Sequence, residues 1–180
     1  MKVFKFIIFF FASLCIIAFL LPKEIEVTRS IEIAASESEV FEQINTFKNW
    51  ENFSVWHLMD TTATFTYSEQ ESGKDSWHTW QGELIGEGKY TITESIPYKS
   101  IKTELDFYEQ GNGKEEWTLT YKGQSTIVSV TNFVDLGFNP LARWIGLTMD
   151  NMLGSSLELS LQNLSDYFDN QEDLIEIVIN

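Results

Sequence analysis

Apolar residues form one unbroken run at the start of the chain, then fall into segments with periods of about two and about 3.6. Residues 6–21 (FIIFFFASLCIIAFLL) carry no charge, and Ser13 is their only polar residue. Extended back to Val3, the run makes about 28 Å of helix at about 1.5 Å per residue, close to the apolar thickness of a bilayer. A single membrane-spanning helix is therefore predicted over residues 3–21, ended by Pro22, Lys23 and Glu24. Small residues marking a cleavage site do not follow the run. Cys15 sits among apolar neighbours rather than ahead of a polar chain, so the segment reads as an uncleaved anchor. Lys2, Lys5 and the amino terminus flank its start, which the positive-inside rule keeps cytoplasmic, with the rest of the chain on the outer face. Lys23 and Arg29 on the other flank pull against that orientation.

Period two begins at residues 25–34 (IEVTRSIEIA), where Ile25, Val27, Ile31 and Ile33 share a face with Arg29, as in a half-buried strand. Ser36 with Glu39 forms a capping-box pattern, and Val40, Phe41, Ile44 and Phe47 make an apolar helical stripe behind it. Residues 48–57 (KNWENFSVWH) predict a second short helix or turn, packed by Trp50, Phe53 and Trp56. Six more strand-like segments follow, at residues 62–68, 76–81, 89–96, 100–108, 115–121 and 126–134. The short separators, such as Gly86-Glu87-Gly88 and Gly111-Asn112-Gly113, are hairpin-type, so the sheet is predicted to be antiparallel. Asn139-Pro140 then opens a helix, with a cap residue followed by proline at the first helical position. Apolar residues at 141, 145, 149, 152, 153, 157, 161, 164 and 168 predict one long amphipathic helix, with Gly154-Ser155-Ser156 as a kink. Residues 169–180 form an acidic tail ending in LIEIVI, open to fraying or to addition as an edge strand. The organisation is thus an anchor over 3–21, a domain over 23–168 and a tail over 169–180. The domain belongs to the α+β class, with about seven antiparallel strands curved around a long C-terminal helix.

Charge narrows the partners. Beyond the first 22 residues the chain holds 10 basic and 27 acidic residues, a net −17 against −15 for the whole. Such a surface repels phosphate backbones, so nucleic acid is not an expected partner, and it offers no attraction to anionic lipid. Cys15 is the only cysteine, which excludes an internal disulfide and a cysteine zinc site. His57 and His78, the only histidines, lack ligand-spaced carboxylates; polar packing or surface exposure is expected for both, and no metal site. Gly86-Glu87-Gly88 leads into no helix and is not a nucleotide loop, so no cofactor is expected.

The element order, together with three stretches of sequence, resembles the START-like helix-grip (SRPBCC) superfamily, in the small bacterial, membrane-anchored branch labelled polyketide cyclase/dehydrase-like. The first stretch runs from Leu21-Pro22-Lys23-Glu24 to Arg29-Ser30-Ile31, with Val40-Phe41 and Asn49-Trp50. The second is residues 88–96, with Ile92-Thr93-Glu94. The third is Leu136-Gly137-Phe138-Asn139-Pro140-Leu141, continuing to Asp150 and Met152-Leu153-Gly154. Val55 departs from the pattern, standing where proline is expected between Ser54 and Trp56. The resemblance implies a bacterial inner-membrane protein with a cavity between sheet and C-terminal helix that binds a lipid or other apolar small molecule.

Trp77, Tyr90, Phe107 and Trp117 are the aromatic candidates for the wall of that cavity, and Met149 and Met152 the flexible ones from the helix. Glu94 and Glu115 share strand faces with large apolar residues. If those faces line the cavity, burial favours the protonated carboxyl and suits it to acid–base work. Binding without catalysis is the leading expectation. The alternatives are a cell-envelope interaction or sensing module, and a cyclase- or dehydratase-like enzyme using one of the two glutamates.

Overall fold

The computed structural model describes residues 2–108 and 111–179. The chain runs through helix α1 (Lys2–Ala18), strand β1 (Glu24–Ile33), helices α2 (Glu37–Asn45) and α3 (Val55–Met59), six consecutive strands, β2 (Thr64–Tyr67), β3 (Trp77–Gly82), β4 (Gly86–Ile96), β5 (Ser100–Asp106), β6 (Asn112–Lys122) and β7 (Ser125–Asp135), and helices α4 (Pro140–Gly146) and α5 (Met149–Ile179). A 3₁₀ turn, Phe47–Asn52, joins α2 to α3. The strands make one antiparallel sheet in the order β1-β7-β6-β5-β4-β3-β2. Consecutive strands from β2 to β7 are neighbours, as their short connections dictate, and the first strand closes onto the last along its whole length.

Alternation gives the sheet one buried face. Val27, Ile33, Ile92, Ile101, Leu105, Trp117, Leu119, Val128 and Val130 point inward and meet Val40, Phe41 and Ile44 of α2 and Leu157, Leu161 and Leu164 of α5. Burial of these side chains is the main force holding α5 against the sheet. The capping box at the start of α2 is formed: Ser36 Oγ accepts from the Glu39 N–H, and the Glu39 carboxylate accepts from the Ser36 N–H. Asn139 caps α4 by accepting from the N–H groups of Leu141 and Ala142, with Pro140 at the first helical position.

Three features differ from the sequence pattern. First, α1 stops at Ala18, and among the described residues no helix is long and apolar enough to cross a membrane. The expected span over residues 3–21 is not met. Phe19, Leu20 and Leu21 turn away with i to i+3 bonds, and the Arg143 guanidinium donates to the carbonyls of Phe19 (3.2 Å) and Leu21 (3.4 Å). Those carbonyls are thereby held by a side chain instead of a next helical turn. Second, the C-terminal helix breaks at Leu147 and Thr148, not at Gly154. Leu147 and Thr148 close α4 with N–H bonds back to Trp144 and Ile145, and Thr148 Oγ1 donates to the Ile145 carbonyl (2.8 Å). Gly154 instead lets α5 approach Arg29 of β1, whose guanidinium lies where a Cβ would stand. Arg29 donates to the carboxylates of Asp150 and Glu158, so β1 is clamped to the start of α5. Third, residues 169–179 continue α5 and add no strand.

Candidate functional site

Between the inner face of the sheet and the N-terminal part of α5 the side chains leave a cavity of about 180 Å³. Leu153 enters it from α5, Trp50 and Trp56 close one side, and Phe65, Trp80, Tyr90 and Phe107 come from the sheet side. Among the described residues no lysine, arginine, aspartate or glutamate lines it. Leu105, Gly113, Phe133 and Val134 line both this cavity and a wider, polar-rimmed groove at the end of the sheet where β1 starts and β7 ends. That end also receives α1: the Leu136 N–H donates to the Lys23 carbonyl (2.8 Å), and Lys23 pairs with Asp135 (3.5 Å).

Two histidines stand in the cavity wall. His57 comes from α3 and His78 from β3, and their rings lie 5.3 Å apart and nearly parallel. Phe65 stacks on His57 at 4.1 Å, and Tyr90 lies nearly parallel to His78 at 5.4 Å. His78 is 1% exposed, and none of the four ring nitrogens finds a hydrogen-bond partner among the described residues. Burial drives both imidazoles to the neutral form. The His57 pKa falls to about 4, and that of His78 to about 3, lowered further by the neighbouring His57. Sequence reasoning missed this pair. The pairing of His78 with Tyr90 across β3 and β4 is the signal that turns His78 inward once Tyr90 is assigned to the inner face.

Glu115 lies on the inner face of β6 in a cross-strand row with Asn132 and Thr103. It is 4% exposed, and the Trp117 Nε1–H donates to its Oε1 (2.7 Å). Desolvation pushes its pKa up to about 7, against the opposing pull of hydrogen bonds from Trp117 and Asn132. Tyr90 is held well above its ordinary range by burial and by the nearby Glu115.

Of the residues singled out from the sequence, Tyr90 and Phe107 line the cavity. Trp117 is buried beside Glu115 and packs edge-on against Trp50 and Phe53, outside the lining. Trp77 is on the opposite face of β3, beneath the Lys89 ammonium (5.0 Å); it sits three residues from the inward Trp80, and period two puts them on opposite faces. Met152 is 63% exposed on the outside of α5, and Met149 is half-buried away from the cavity. Leu153, in line with Leu157, Leu161 and Leu164, takes the inward position. Glu94 follows an irregularity between Ile92 and Glu94 that carries it out of the buried face, where it pairs with Lys102 (2.8 Å). The acid–base candidacy therefore rests on Glu115. Among the described residues no three histidine, cysteine or acidic side chains are grouped to hold a metal.

The pattern of the polyketide cyclase / dehydrase and lipid transport family matches residues 24–169, from the start of β1 into α5. The chain belongs to this family. Its fold is similar to that of the di-domain ARO/CYC protein StfQ from the steffimycin biosynthetic pathway (TM-score 0.62, 8% identity), over 83% of this chain and 52% of that one. A protein of unknown function from Staphylococcus aureus is similar over 84% of this chain and 98% of its own (TM-score 0.60, 10% identity). A hypothetical protein from Helicobacter pylori is similar over 79% and 87% (TM-score 0.58, 8% identity). At these identities the likeness is one of fold. No protein of curated function matches the chain.

Proposed function

We propose that this family member binds a small, largely apolar molecule in the cavity between sheet and α5, at a membrane to which α1 attaches it. The observation that carries the reading is the cavity itself, walled by aromatic and aliphatic side chains. Its volume of about 180 Å³ lies below the range of about 300–1,000 Å³ usual for drug-sized ligands. It is near an engineered apolar cavity of about 150 Å³ that stays dry and takes up benzene. The ligand that fits is therefore a molecule of one or two rings, or the end of an acyl chain.

The membrane part is supported by the surface of α1. Phe4, Phe6, Phe9, Phe11 and Ile16 are exposed around it, and a helix apolar on all sides needs an apolar surrounding. Trp144 Nε1–H donates to the Leu14 carbonyl (3.3 Å), and Arg143 stacks on Phe19, so α4 fastens this helix to the domain. The shared groove opens at that same end. In this reading α1 lies in the apolar part of the membrane surface and the domain sits on the outer face of a bacterial inner membrane. A second reading, acid–base chemistry, is favoured by one observation only: the buried Glu115 carboxyl, which stands outside the cavity lining, has a pKa near neutrality.

Mass spectrometry of the full chain, extracted from membranes under native conditions, tests the binding. A small apolar molecule retained by the wild type and lost on Leu153→Trp, which fills the cavity, is the expected result. A wild-type chain that carries nothing and takes up no apolar small molecule overturns it.

A further inference from the structure

We infer that His57 and His78 are the polar anchor of the cavity's ligand, and that this ligand is an uncharged molecule bearing a hydroxyl or similar donor–acceptor group on a flat ring. The inference rests on the cavity being a ligand site and names the chemistry that the site selects. A neutral imidazole has one N–H donor and one bare nitrogen acceptor, so the pair presents two donors and two acceptors. All four lack a partner among the described residues, and His78 is almost wholly out of solvent. A buried donor or acceptor left unmet is costly, and phenylalanine would fill the same ring positions without that cost. A group that both gives and accepts a hydrogen bond matches what the two rings offer.

The rest of the wall sets the other limits. With no ionised side chain among the described residues of the lining, a charged ligand would be desolvated without an opposing charge. Phe65, His57, His78 and Tyr90 present nearly parallel ring planes, and the Trp50 ring lies edge-on to Tyr90 at 5.2 Å. Aromatic walls of this kind favour a flat ring, which can stack or meet ring edges.

Toluene and p-cresol differ only by a hydroxyl and suit the volume. The full chain is reconstituted in lipid nanodiscs with ring-¹⁵N histidine and methyl-¹³C leucine, and titrated with each compound by NMR. The Leu153 methyl signals report occupancy of the cavity, and the histidine ring nitrogens report hydrogen bonding. Toluene is the more apolar compound, so a hydroxyl buried without a partner would weaken binding. The expected result is that p-cresol binds about tenfold or more tightly, worth about 1.4 kcal/mol. It also shifts the ring nitrogens of both histidines at saturation. In His78→Phe the preference for p-cresol disappears while both compounds still move Leu153. His57→Phe gives the same test should His78→Phe fail to fold. If both compounds move Leu153 in the wild type and toluene binds at least as tightly, the anchor is overturned and the cavity reading stands. If neither moves Leu153, the cavity reading fails and the anchor with it.

Discussion

Burial keeps a proton on Glu115 that an exposed glutamate would have lost by neutral pH. Its pKa rises from 4.5 to about 7 on folding, so its contribution to stability is complete below about 4.5 and is lost as pH rises through about 7. Glu115→Gln keeps an acceptor for the Trp117 indole and removes the titration. Between pH 4.5 and 7.5 the wild type is expected to lose on the order of 3 kcal/mol relative to this variant in urea unfolding. Parallel curves would contradict it. The histidines act in the opposite direction. Their pKa values fall from 6.5 to about 4 and about 3, so the stability they allow is complete above 6.5 and is lost as pH falls through those values. His78→Phe is expected to flatten the acid side of the stability profile, measured by unfolding between pH 7 and 3.5. At Gly88 the constraint is steric. A Cβ there would overlap the Trp80 ring and the Asp106 carbonyl, so Gly88→Ala forces Trp80 toward the cavity. A loss of about 1–3 kcal/mol is expected by chemical denaturation.

Most of the elements were legible in the sequence because each rule behind them acts over a few residues. Alternation, with β-branched and aromatic residues between turn signals, located the strands, and the pairs Ser36/Glu39 and Asn139/Pro140 marked the true starts of α2 and α4. What failed depended on distant partners. Gly154 looks like a break until Arg29 is seen beside it, and the turn after Ala18 depends on Arg143 of α4. Arg143 also donates twice to the Gly137 carbonyl, at 3.0 and 2.9 Å, so this one buried side chain ties α1, α4 and the chain after β7 together. Arg143→Ala is expected to cost about 2–3 kcal/mol. It should also open residues 19–23 to limited proteolysis; protection unchanged from wild type would show that Trp144 alone holds α1. A second tie joins the end of α3 to the β3–β4 turn. Asp60 accepts from the N–H groups of Thr62, Leu84 and Ile85 and from the Thr62 hydroxyl, and these bonds hold its pKa down to about 2. Asp60→Ala is expected to lower the melting temperature and raise amide exchange at Leu84 and Ile85. Because the pKa is depressed, the tie is intact above about pH 3.8 and fails only as pH falls through about 2.

At the scale of the molecule, the sheet, α3 and α5 together make a site that no single segment contains. Its wall draws on the 3₁₀ turn, α3, five strands (β2 to β4, β6 and β7), the end of β5 and one leucine of α5. Tyr90 and Phe107 could be assigned to it from strand parity. That the space is left open could not, because a face rich in tryptophan and phenylalanine has the same pattern whether the rings fill a core or ring a cavity. The histidines escaped for a related reason: a lone histidine in a strand becomes informative only when its neighbours prove unable to satisfy it. The family supplies a fold used by proteins of different activities, so the assignment to ligand binding stands on the cavity. Binding in the cavity is tested by titrating the full chain, reconstituted in nanodiscs, with an environment-sensitive apolar dye, beside the filled variant Leu153→Trp and empty nanodiscs. Saturable one-site binding by the wild type, absent from both controls while Leu153→Trp keeps its fold, is the expected result. Equal signal from all three would contradict it and leave the grip as a core packed by its own side chains.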